Sequence, residues 1–308
     1  MRLYIAGIQG MVGSAIARLG KSLGFEILGQ SSQHLNFTNR EAVFEEMKRL
    51  KPDALLISAA KVGGIGANSS HPVDFLSLNL QIQTNLMDAS HNAGVTKVLF
   101  LGSSCIYPKF ASQPIQESSL LTGQLEETNS AYAVAKIAGV KLIESYRQQF
   151  GHKWISAMPT NLYGPGDNFN LETGHVLPSL IHRFHNAKIH KESAVSIWGD
   201  GTPLREFLHV DDLASACMVL LDKYDDSVAI NVGSGEEVSI SNLAKLIAQI
   251  VGYEGIIQCD ITKPNGTPRK FLDSSKIFSL GWGPKILLED GIALTYDSFK
   301  STLKSGDF

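Results

Sequence analysis

Short apolar runs alternate with helical patterns along the first half of this chain. The runs RLYIAG, FEILGQ, ALLISAA, KVLFLGSS and WISAMPT are predicted strands. Helices are predicted between them, near residues 11–23, 40–50, 75–93 and 131–150. Strands with apolar residues on both faces are buried on both faces, and β-α-β repetition makes neighbouring strands parallel. The pattern therefore predicts the α/β class, with a doubly wound parallel sheet between two layers of helices.

The second half of the chain, after Asn161, is less regular. LYGPGDNFNLETGH, residues 162–175, is rich in Gly, Pro, Asn and Asp, which predicts a long functional loop. The segments after it are typical of short strands and amphipathic helices. We expect residues 1–160 to form a dinucleotide-binding domain. Residues 161–308 are expected to form mainly a smaller α/β substrate-binding lobe, with some strands returning to the main sheet.

Charge and cysteine content narrow the kind of ligand and the compartment. The 308 residues have a formal net charge of -3 and no basic or acidic block, which disfavours nucleic acid and anionic membranes as partners and favours a small molecule. No segment approaches the roughly 20 apolar residues of a membrane span, and the glycine-interrupted start is typical of a folded chain rather than a signal peptide. Because Cys105, Cys217 and Cys259 are scattered, we expect no disulfide framework, no metal site and a cytoplasmic location.

A glycine-rich turn, GIQGMVG, joins the first predicted strand to the first predicted helix. Its glycines allow a tight turn and a close approach of the backbone to a pyrophosphate, which the positive end of the helix favours. The spacing is GxxGxxG rather than GxGxxG, and its place between strand and helix distinguishes it from an ordinary glycine-rich turn. We therefore predict a Rossmann-like sheet in which Gly7, Gly10, Met11, Val12 and Gly13 bind a dinucleotide.

The choice of cofactor in such folds is made after the second strand. A carboxylate there binds the ribose 2'-hydroxyl of NAD, and an arginine accommodates the 2'-phosphate of NADP. In this chain Gln30, Ser31 and Ser32 follow the strand. The missing acid disfavours strict use of NAD, and the missing arginine leaves NADP without its usual partner.

Tyr132 and Lys136 are four residues apart near the start of a predicted helix, so both face one side of it. An ammonium beside a phenol, whose free pKa is about 10, favours the phenolate and suits proton transfer to a carbinol oxygen. Such a pair is common by chance in amphipathic helices. Its place after the glycine turn, and after a strand that ends in Ser103 and Ser104, favours a catalytic interpretation.

The order of glycine turn, strand-end serine and YxxxK resembles the extended short-chain dehydrogenase/reductase family. Further segments through nearly the whole chain are similar to the GDP-L-fucose synthases of that family: AAKVGGI, GSSCIYP, YAVAKIAG, PTNLYGPGDNF, WGDGTPLREFLHVDD and GTPRK. The resemblance implies epimerisation of GDP-4-keto-6-deoxy-D-mannose at C3 and C5, then reduction of its C4 ketone with NADPH to give GDP-L-fucose. It also implies a homodimer through the helices near 75–93 and 131–150.

The same resemblance assigns catalytic roles. Ser103 and Tyr132 would hydrogen-bond the C4 oxygen, Tyr132 would protonate it, and Lys136 would hold the nicotinamide ribose and lower the pKa of Tyr132. Cys105 would be the epimerisation base and His175 the acid on the opposite face. Along an extended segment, alternation turns Ser103 and Cys105 the same way.

Binding residues follow from the resemblance as well. The cofactor would contact Ser104, Lys136, Pro159, Asn161, Leu162 and His175. The GDP-sugar would contact Arg183, Trp198, Arg205, Arg269 and Lys270, since cationic side chains suit a diphosphate. The chain departs from the resemblance at Gln9, Gln30 and Ser32, where basic residues are expected for the 2'-phosphate. NADP(H) is thus the expected cofactor, and NAD(H) is an alternative.

Two other kinds of protein stay open. The first is a related enzyme: a reductase or epimerase/reductase of another GDP-4-keto-deoxy sugar, of the colitose or 6-deoxy-heptose type, or an enzyme that uses bound NAD catalytically. A dehydratase of the latter kind would carry acidic residues where this chain has Cys105 and Ile106. The second is a non-catalytic nucleotide-binding protein, and the retention of Ser103, Tyr132 and Lys136 disfavours it.

Overall fold

The structure is a computed structural model that describes residues 1–263 and 265–305. Pro264 and residues 306–308, which fall in the predicted second lobe, lie outside the described residues. The strands of the described part are β1 (Arg2–Ala6), β2 (Glu26–Leu28), β3 (Ala54–Ile57), β4 (Lys97–Leu101), β5 (Ile155–Pro159), β6 (Asn161–Tyr163), β7 (Ala194–Trp198), β8 (Leu204–His209), β9 (Ile230–Val232), β10 (Glu237–Ser239), β11 (Ile256–Asp260) and β12 (Arg269–Lys270). The helices are α1 (Met11–Ser22), α2 (Arg40–Leu50), α3 (Ile65–Ser70), α4 (Pro72–Ala93), α5 (Ser130–Phe150), α6 (Val176–His190), α7 (Val210–Lys223), α8 (Ile240–Val251), α9 (Ser275–Ser279) and α10 (Leu288–Ser305).

Six parallel strands form the main sheet, in the order β2-β1-β3-β4-β5-β9. The four central strands carry the unalternating apolar runs, and nearly all of their residues are buried. The order reverses between β1 and β3, so the carboxyl end of β1 lies at the switch point of the sheet, where such folds bind ligands. This arrangement confirms the predicted doubly wound parallel sheet.

Helices cover both faces of the main sheet, because successive residues of each strand point to opposite sides. Leu3 and Ile5 of β1 belong to the core cluster that contains the buried residues of α1 and α7. Tyr4 and Ala6 belong to the cluster that contains those of α2, α4 and α5. The helix ends are locally determined: Asn39 caps α2 by accepting the Ala42 N–H, and left-handed glycines follow α4 and α5.

The smaller lobe is built from chain that follows β5, whose carboxyl end leads directly into β6. In it β8 pairs with β6, β10 and β12, while β7 pairs with β11. Helices α6, α8 and α10 supply its separate apolar core, with Phe184, Leu243 and Phe299 buried together. The predicted loop over 162–175 is wrong at its start, since Leu162 and Tyr163 belong to β6 and pair with β8. Within the described residues, no helix is long and apolar enough to cross a membrane.

Candidate active site

The glycine turn after β1 forms a backbone cradle at the start of α1. Gly7 has a φ of 90°, which side-chain-bearing residues rarely adopt. A Cβ on Gly13 would collide with the Gly7 carbonyl oxygen, so only glycine permits this approach. Gly10 precedes α1 without a side-chain cap, which leaves the positive helix end at Met11 and Val12 to the ligand. The cradle therefore fits the pyrophosphate of a dinucleotide, at the switch point of the sheet.

Neutral polar groups follow β2, where the adenosine ribose is expected. The Gln30 Nε2 donates to the Glu46 Oε1 over 3.3 Å, and Glu46 is in turn ion-paired with Arg49. The Ser31 Oγ lies 2.6 Å from the His34 Nδ1. Gln30 thus stands where a carboxylate or an arginine usually selects the cofactor, and its amide is held by a carboxylate.

Ser103, Ser104 and Cys105 follow β4 directly. Ser103 is extended, with φ -163° and ψ 149°, but Ser104–Ile106 forms a 3₁₀ helix. The expectation that the chain stays extended through Cys105 is therefore wrong. The hydroxyl and the thiol meet by another route: the Ser103 side chain accepts the Cys105 backbone N–H over 3.3 Å, and it hydrogen-bonds the thiol.

Tyr132 and Lys136 lie on the first turns of α5, as predicted. The Lys136 Nζ donates to the Leu101 carbonyl over 2.8 Å and lies 5.8 Å from the centre of the Tyr132 ring. Burial lowers the pKa of Lys136 to about 8, whereas burial and the neighbouring Cys105 raise the pKa of Tyr132. Both influences on the phenol raise its pKa and Lys136 is not among them, so a lowering of that pKa by Lys136 stays a prediction. Tyr132 therefore keeps its proton at neutral pH and can donate it.

His175 is the residue before α6, on the smaller lobe. The residue is exposed. Surrounding protein and the charge of Lys270 lower the pKa of its imidazole. Lys270 also acts on the pKa of Cys105, so the two predicted proton-transfer residues share one cation.

The carboxyl end of β5 continues into the smaller lobe through Pro159, Asn161 and Leu162. The Asn161 Nδ2 donates to the Glu206 carbonyl over 2.7 Å, which joins β6 to β8. Leu162 packs against the core cluster beneath α7. Both contacts hold the cofactor side of the cleft in position, and direct contact of these residues with a nicotinamide stays a prediction.

The predicted substrate residues lie on the smaller lobe but differ in their partners. The Arg183 guanidinium donates to the Ser196 carbonyl over 2.9 Å. Trp198 is 48% exposed, and the Lys263 Nζ lies 5.7 Å from its ring centre. Burial lowers the pKa of Arg205, whose guanidinium donates to the Leu204 carbonyl.

Arg269 and Lys270 are neighbours in sequence but have different surroundings. Arg269 donates two hydrogen bonds to Glu237, over 2.7 and 2.9 Å. Lys270 lines a cavity of about 10 Å³ together with Cys105. The guanidinium of Arg269 is therefore already paired, and Lys270 lines the same cavity as the Cys105 thiol.

Glu206, a fully buried acidic residue on β8, belongs to none of the predicted sites. It accepts the Gly235 N–H over 2.9 Å and the Leu272 N–H over 3.2 Å. These bonds tie β8 to the segments that carry β9 and β12, and so they position Lys270. A single acid directly before the apolar pair Phe207 and Leu208 was the available signal.

Comparison with known proteins identifies the relatives of this chain. Residues 3–233 match the NAD dependent epimerase/dehydratase family. A GDP-L-fucose synthase of Arabidopsis thaliana is 54% identical over 297 residues, which are 96% of this chain and 92% of that protein. The GDP-L-fucose synthase of Escherichia coli K12 is 48% identical over 308 residues, covering 97% of this chain and 96% of that protein. A GDP-L-colitose synthase of Yersinia pseudotuberculosis is 38% identical over 97% of this chain and 98% of its own length.

Solved structures agree over the whole fold. A GDP-L-fucose synthetase from Naegleria fowleri bound to NADP has a TM-score of 0.89 and 28% identity, over 98% of this chain and 93% of that one. A GDP-D-glycero-L-gluco-heptose synthase from Campylobacter jejuni in the presence of NADPH has a TM-score of 0.90 and 33% identity, over 97% and 98%. The chain therefore belongs to the NAD dependent epimerase/dehydratase family and, within it, to the GDP-L-fucose synthases.

Proposed function

We propose that this protein converts GDP-4-keto-6-deoxy-D-mannose to GDP-L-fucose, by epimerisation at C3 and C5 followed by NADPH-dependent reduction at C4. The observation that carries the proposal is a thiol, Cys105, hydrogen-bonded to Ser103 and close enough to Tyr132 to raise the pKa of its phenol. Reduction of a ketone needs no thiol. A second proton-transfer group beside the reductase pair supports a second reaction at the same substrate.

For the reduction, Ser103 and Tyr132 hydrogen-bond the C4 oxygen. The bound nicotinamide supplies the hydride. Tyr132, whose pKa is raised by burial, then donates its proton to the alkoxide that forms on that oxygen. Lys136, held by the Leu101 carbonyl at the base of the cleft, is positioned to bind the ribose.

For the epimerisation, the ketone acidifies the hydrogens at C3 and C5. The Cys105 thiolate takes such a proton onto sulfur, and the electron pair of the C–H bond moves into an enolate whose oxygen Ser103 and Tyr132 can stabilise. A protonated His175 returns a proton to the opposite face of the carbon. Its lowered pKa makes the imidazolium a stronger acid. Each carbon inverts without net change in oxidation state.

Isotope labelling tests the proposed reaction. GDP-4-keto-6-deoxy-D-mannose is incubated with the enzyme in deuterated water, with and without NADPH, and label at C3 and C5 is followed alongside nicotinamide oxidation. We expect label at both carbons without NADPH, and GDP-L-fucose with it. Reduction without label would instead indicate a simple C4 reductase of the colitose or heptose type, and no turnover would contradict the proposal.

We assign NADP(H) as the cofactor, as in the NADP-bound relative, although Gln30 offers no cation to the 2'-phosphate. Gln30→Arg is therefore expected to tighten NADPH binding about tenfold relative to NADH, because a charge-assisted hydrogen bond contributes about 1.5–3 kcal/mol. Quenching of protein fluorescence during titration with each nucleotide measures both Kd values. Gln149→Arg adds the same charge at the exposed end of α5 and should leave the ratio unchanged. An unaltered ratio in Gln30→Arg would remove this residue from the 2'-phosphate site.

We also propose that the protein is a homodimer in the cytoplasm, paired through α4 and α5. Val73 on α4 is 72% exposed and Val134 on α5 is 46% exposed, which supports an apolar contact there. The three cysteines are free thiols, as suits a reducing compartment.

The dimer is tested by Val134→Arg, which should weaken association at least about 100-fold because an unpaired buried charge costs about 3–5 kcal/mol. Light scattering coupled to size exclusion would then report the monomer mass. The matched variant Val228→Arg changes an equally exposed valine before β9 and should stay dimeric. A Val134→Arg protein that keeps the dimer mass would place the interface elsewhere.

A further inference from the structure

Lys270 lines the same cavity as Cys105 because of its register in the smaller lobe. β12 pairs in parallel with β8, with Arg269 opposite Leu204 and Lys270 opposite Arg205. Arg269 is paired with Glu237, and both Arg269 and Lys270 line the cavity that contains Cys105.

The cavity is small, and the Glu126 carboxylate that lines it is already ion-paired. Its volume of about 10 Å³ is close to that of a single water molecule. Glu126, which also lines it, is ion-paired with the Lys109 Nζ over 2.9 Å and is bonded by Thr267. Within residues 1–263 and 265–305, the ion pairs found do not include Lys270. Lys270 thus lines the cavity of Cys105 with no ion-pair partner among the described residues, and burial lowers the pKa of its amine.

The groups around Cys105 come from three elements. Ser103, on its own turn, hydrogen-bonds the sulfur, and Lys136 and Tyr132 face it from α5. Lys270 faces it from β12 and is itself near Arg205, Glu126 and His175. Burial raises the pKa of Cys105, and among the opposing influences that of Lys270 is the largest, ahead of Ser103 and Lys136.

We propose that Lys270 is the positioning residue of the epimerisation: its ammonium, held in the shared cavity, stabilises the Cys105 thiolate that removes the C3 and C5 protons. The proposal rests on the proposed function for the identity of the reaction. Lys270 acts through the sulfur and neither gives nor takes the transferred proton. This role differs from binding the diphosphate, because it operates before substrate arrives.

Alkylation of Cys105 by iodoacetamide tests the proposal in the free enzyme, because only the thiolate reacts. The rate at Cys105 is measured from pH 6 to 10 by mass spectrometry of its peptide, and the exposed Cys259 in the same sample is the internal reference. Lys270→Met should move the midpoint of the Cys105 profile up by about one pH unit, since an opposite charge nearby lowers a pKa by about 1–3 units. At neutral pH this is about a tenfold slower reaction. Cys259 should be unchanged.

Two variants separate the effect of the positive charge of Lys270 from any structural effect of replacing a lysine. Lys270→Arg keeps the positive charge and should restore the wild-type midpoint, whereas Lys245→Met removes an exposed lysine of α8 and should not move it. NADPH binding by Lys270→Met, followed by fluorescence, shows that the variant is folded. A Cys105 midpoint that is unchanged in Lys270→Met, or one that Lys270→Arg fails to restore, would overturn the proposal.

Deuterium exchange then links the thiol to the reaction. Lys270→Met should incorporate label at C3 and C5 about tenfold more slowly than the wild type at neutral pH, and the rate should recover at higher pH. Loss of a diphosphate ligand would not produce this recovery with pH. If the wild-type enzyme incorporates no label, the proposed reaction is contradicted. If Lys270→Met nevertheless shifts the alkylation midpoint, the coupling of Lys270 to Cys105 is still supported. The two claims therefore fail separately.

Discussion

Replacing Cys105 with serine is expected to reduce deuterium incorporation at C3 and C5 by at least about 100-fold, the lower end of what general acid–base catalysis contributes. Serine fills the same space and keeps a hydrogen bond to Ser103, but its hydroxyl is far too weak an acid to supply an anion beside Lys270. Hydride transfer uses Ser103, Tyr132 and Lys136. When the 3,5-epimerised ketone is supplied directly as the substrate, Cys105→Ser should therefore still reduce it at a rate close to that of the wild-type enzyme.

Cys259→Ser is the matched control, since it makes the same exchange at an exposed cysteine of β11. It should leave both exchange and reduction unchanged. The measurement is mass and proton spectra of the recovered GDP-sugar against time, with nicotinamide absorbance for the reduction. Exchange at an equal rate in Cys105→Ser and Cys259→Ser would exclude Cys105 as the base.

The complementary change, Tyr132→Phe, is expected to slow reduction by about 10²–10⁴-fold, because it removes the proton donor to the C4 oxygen. The buried phenol has a raised pKa and is protonated at neutral pH, so its loss removes a donor that is always present. Exchange at C3 and C5 should fall less than reduction, since Cys105 and His175 remain and Ser103 still stabilises the enolate oxygen. Cys105→Ser is therefore expected to lose mainly exchange, whereas Tyr132→Phe is expected to lose mainly reduction.

Tyr253→Phe provides the control for loss of a phenol. Tyr253 donates to the Glu192 carbonyl in the smaller lobe, away from α5. Single-turnover nicotinamide oxidation, measured with the epimerised ketone, isolates the hydride step from epimerisation. Reduction by Tyr132→Phe at the rate of Tyr253→Phe would mean that another group protonates the oxygen.

The fold was predictable because its signals are local. Apolar runs without alternation mark strands buried on both faces, and the structure places them at the centre of the parallel sheet. A helix was predicted near residues 40–50, and α2 spans Arg40–Leu50 with Asn39 as its cap. The start of the loop over 162–175 was predicted wrongly, because β6 forms only by pairing with β8. That strand lies some forty residues further along the chain.

Electrostatics were predicted less well than positions. The spacing of Tyr132 and Lys136 correctly predicted that both lie on the first turns of one helix. The spacing could not predict that the Lys136 ammonium donates a hydrogen bond to the Leu101 carbonyl. It also could not predict that burial dominates the pKa values of Tyr132 and Lys136. Desolvation depends on everything that packs around a side chain, and a motif of five residues contains none of that information.

The sequence by itself determined the strands of the sheet, the glycine cradle and the placing of Tyr132 and Lys136 on one helix, because each depends on residues that are close in the chain and on backbone geometry that those residues impose. It also singled out GSSC as the place of a second activity. Only the tertiary structure decided what surrounds Cys105. The 3₁₀ turn folds Ser103 onto the thiol, and the pairing of β12 with β8 brings Lys270 from the far end of the chain into the same cavity. Charges on distant segments become neighbours only when the chain is packed, and their effect on the thiol is decided there.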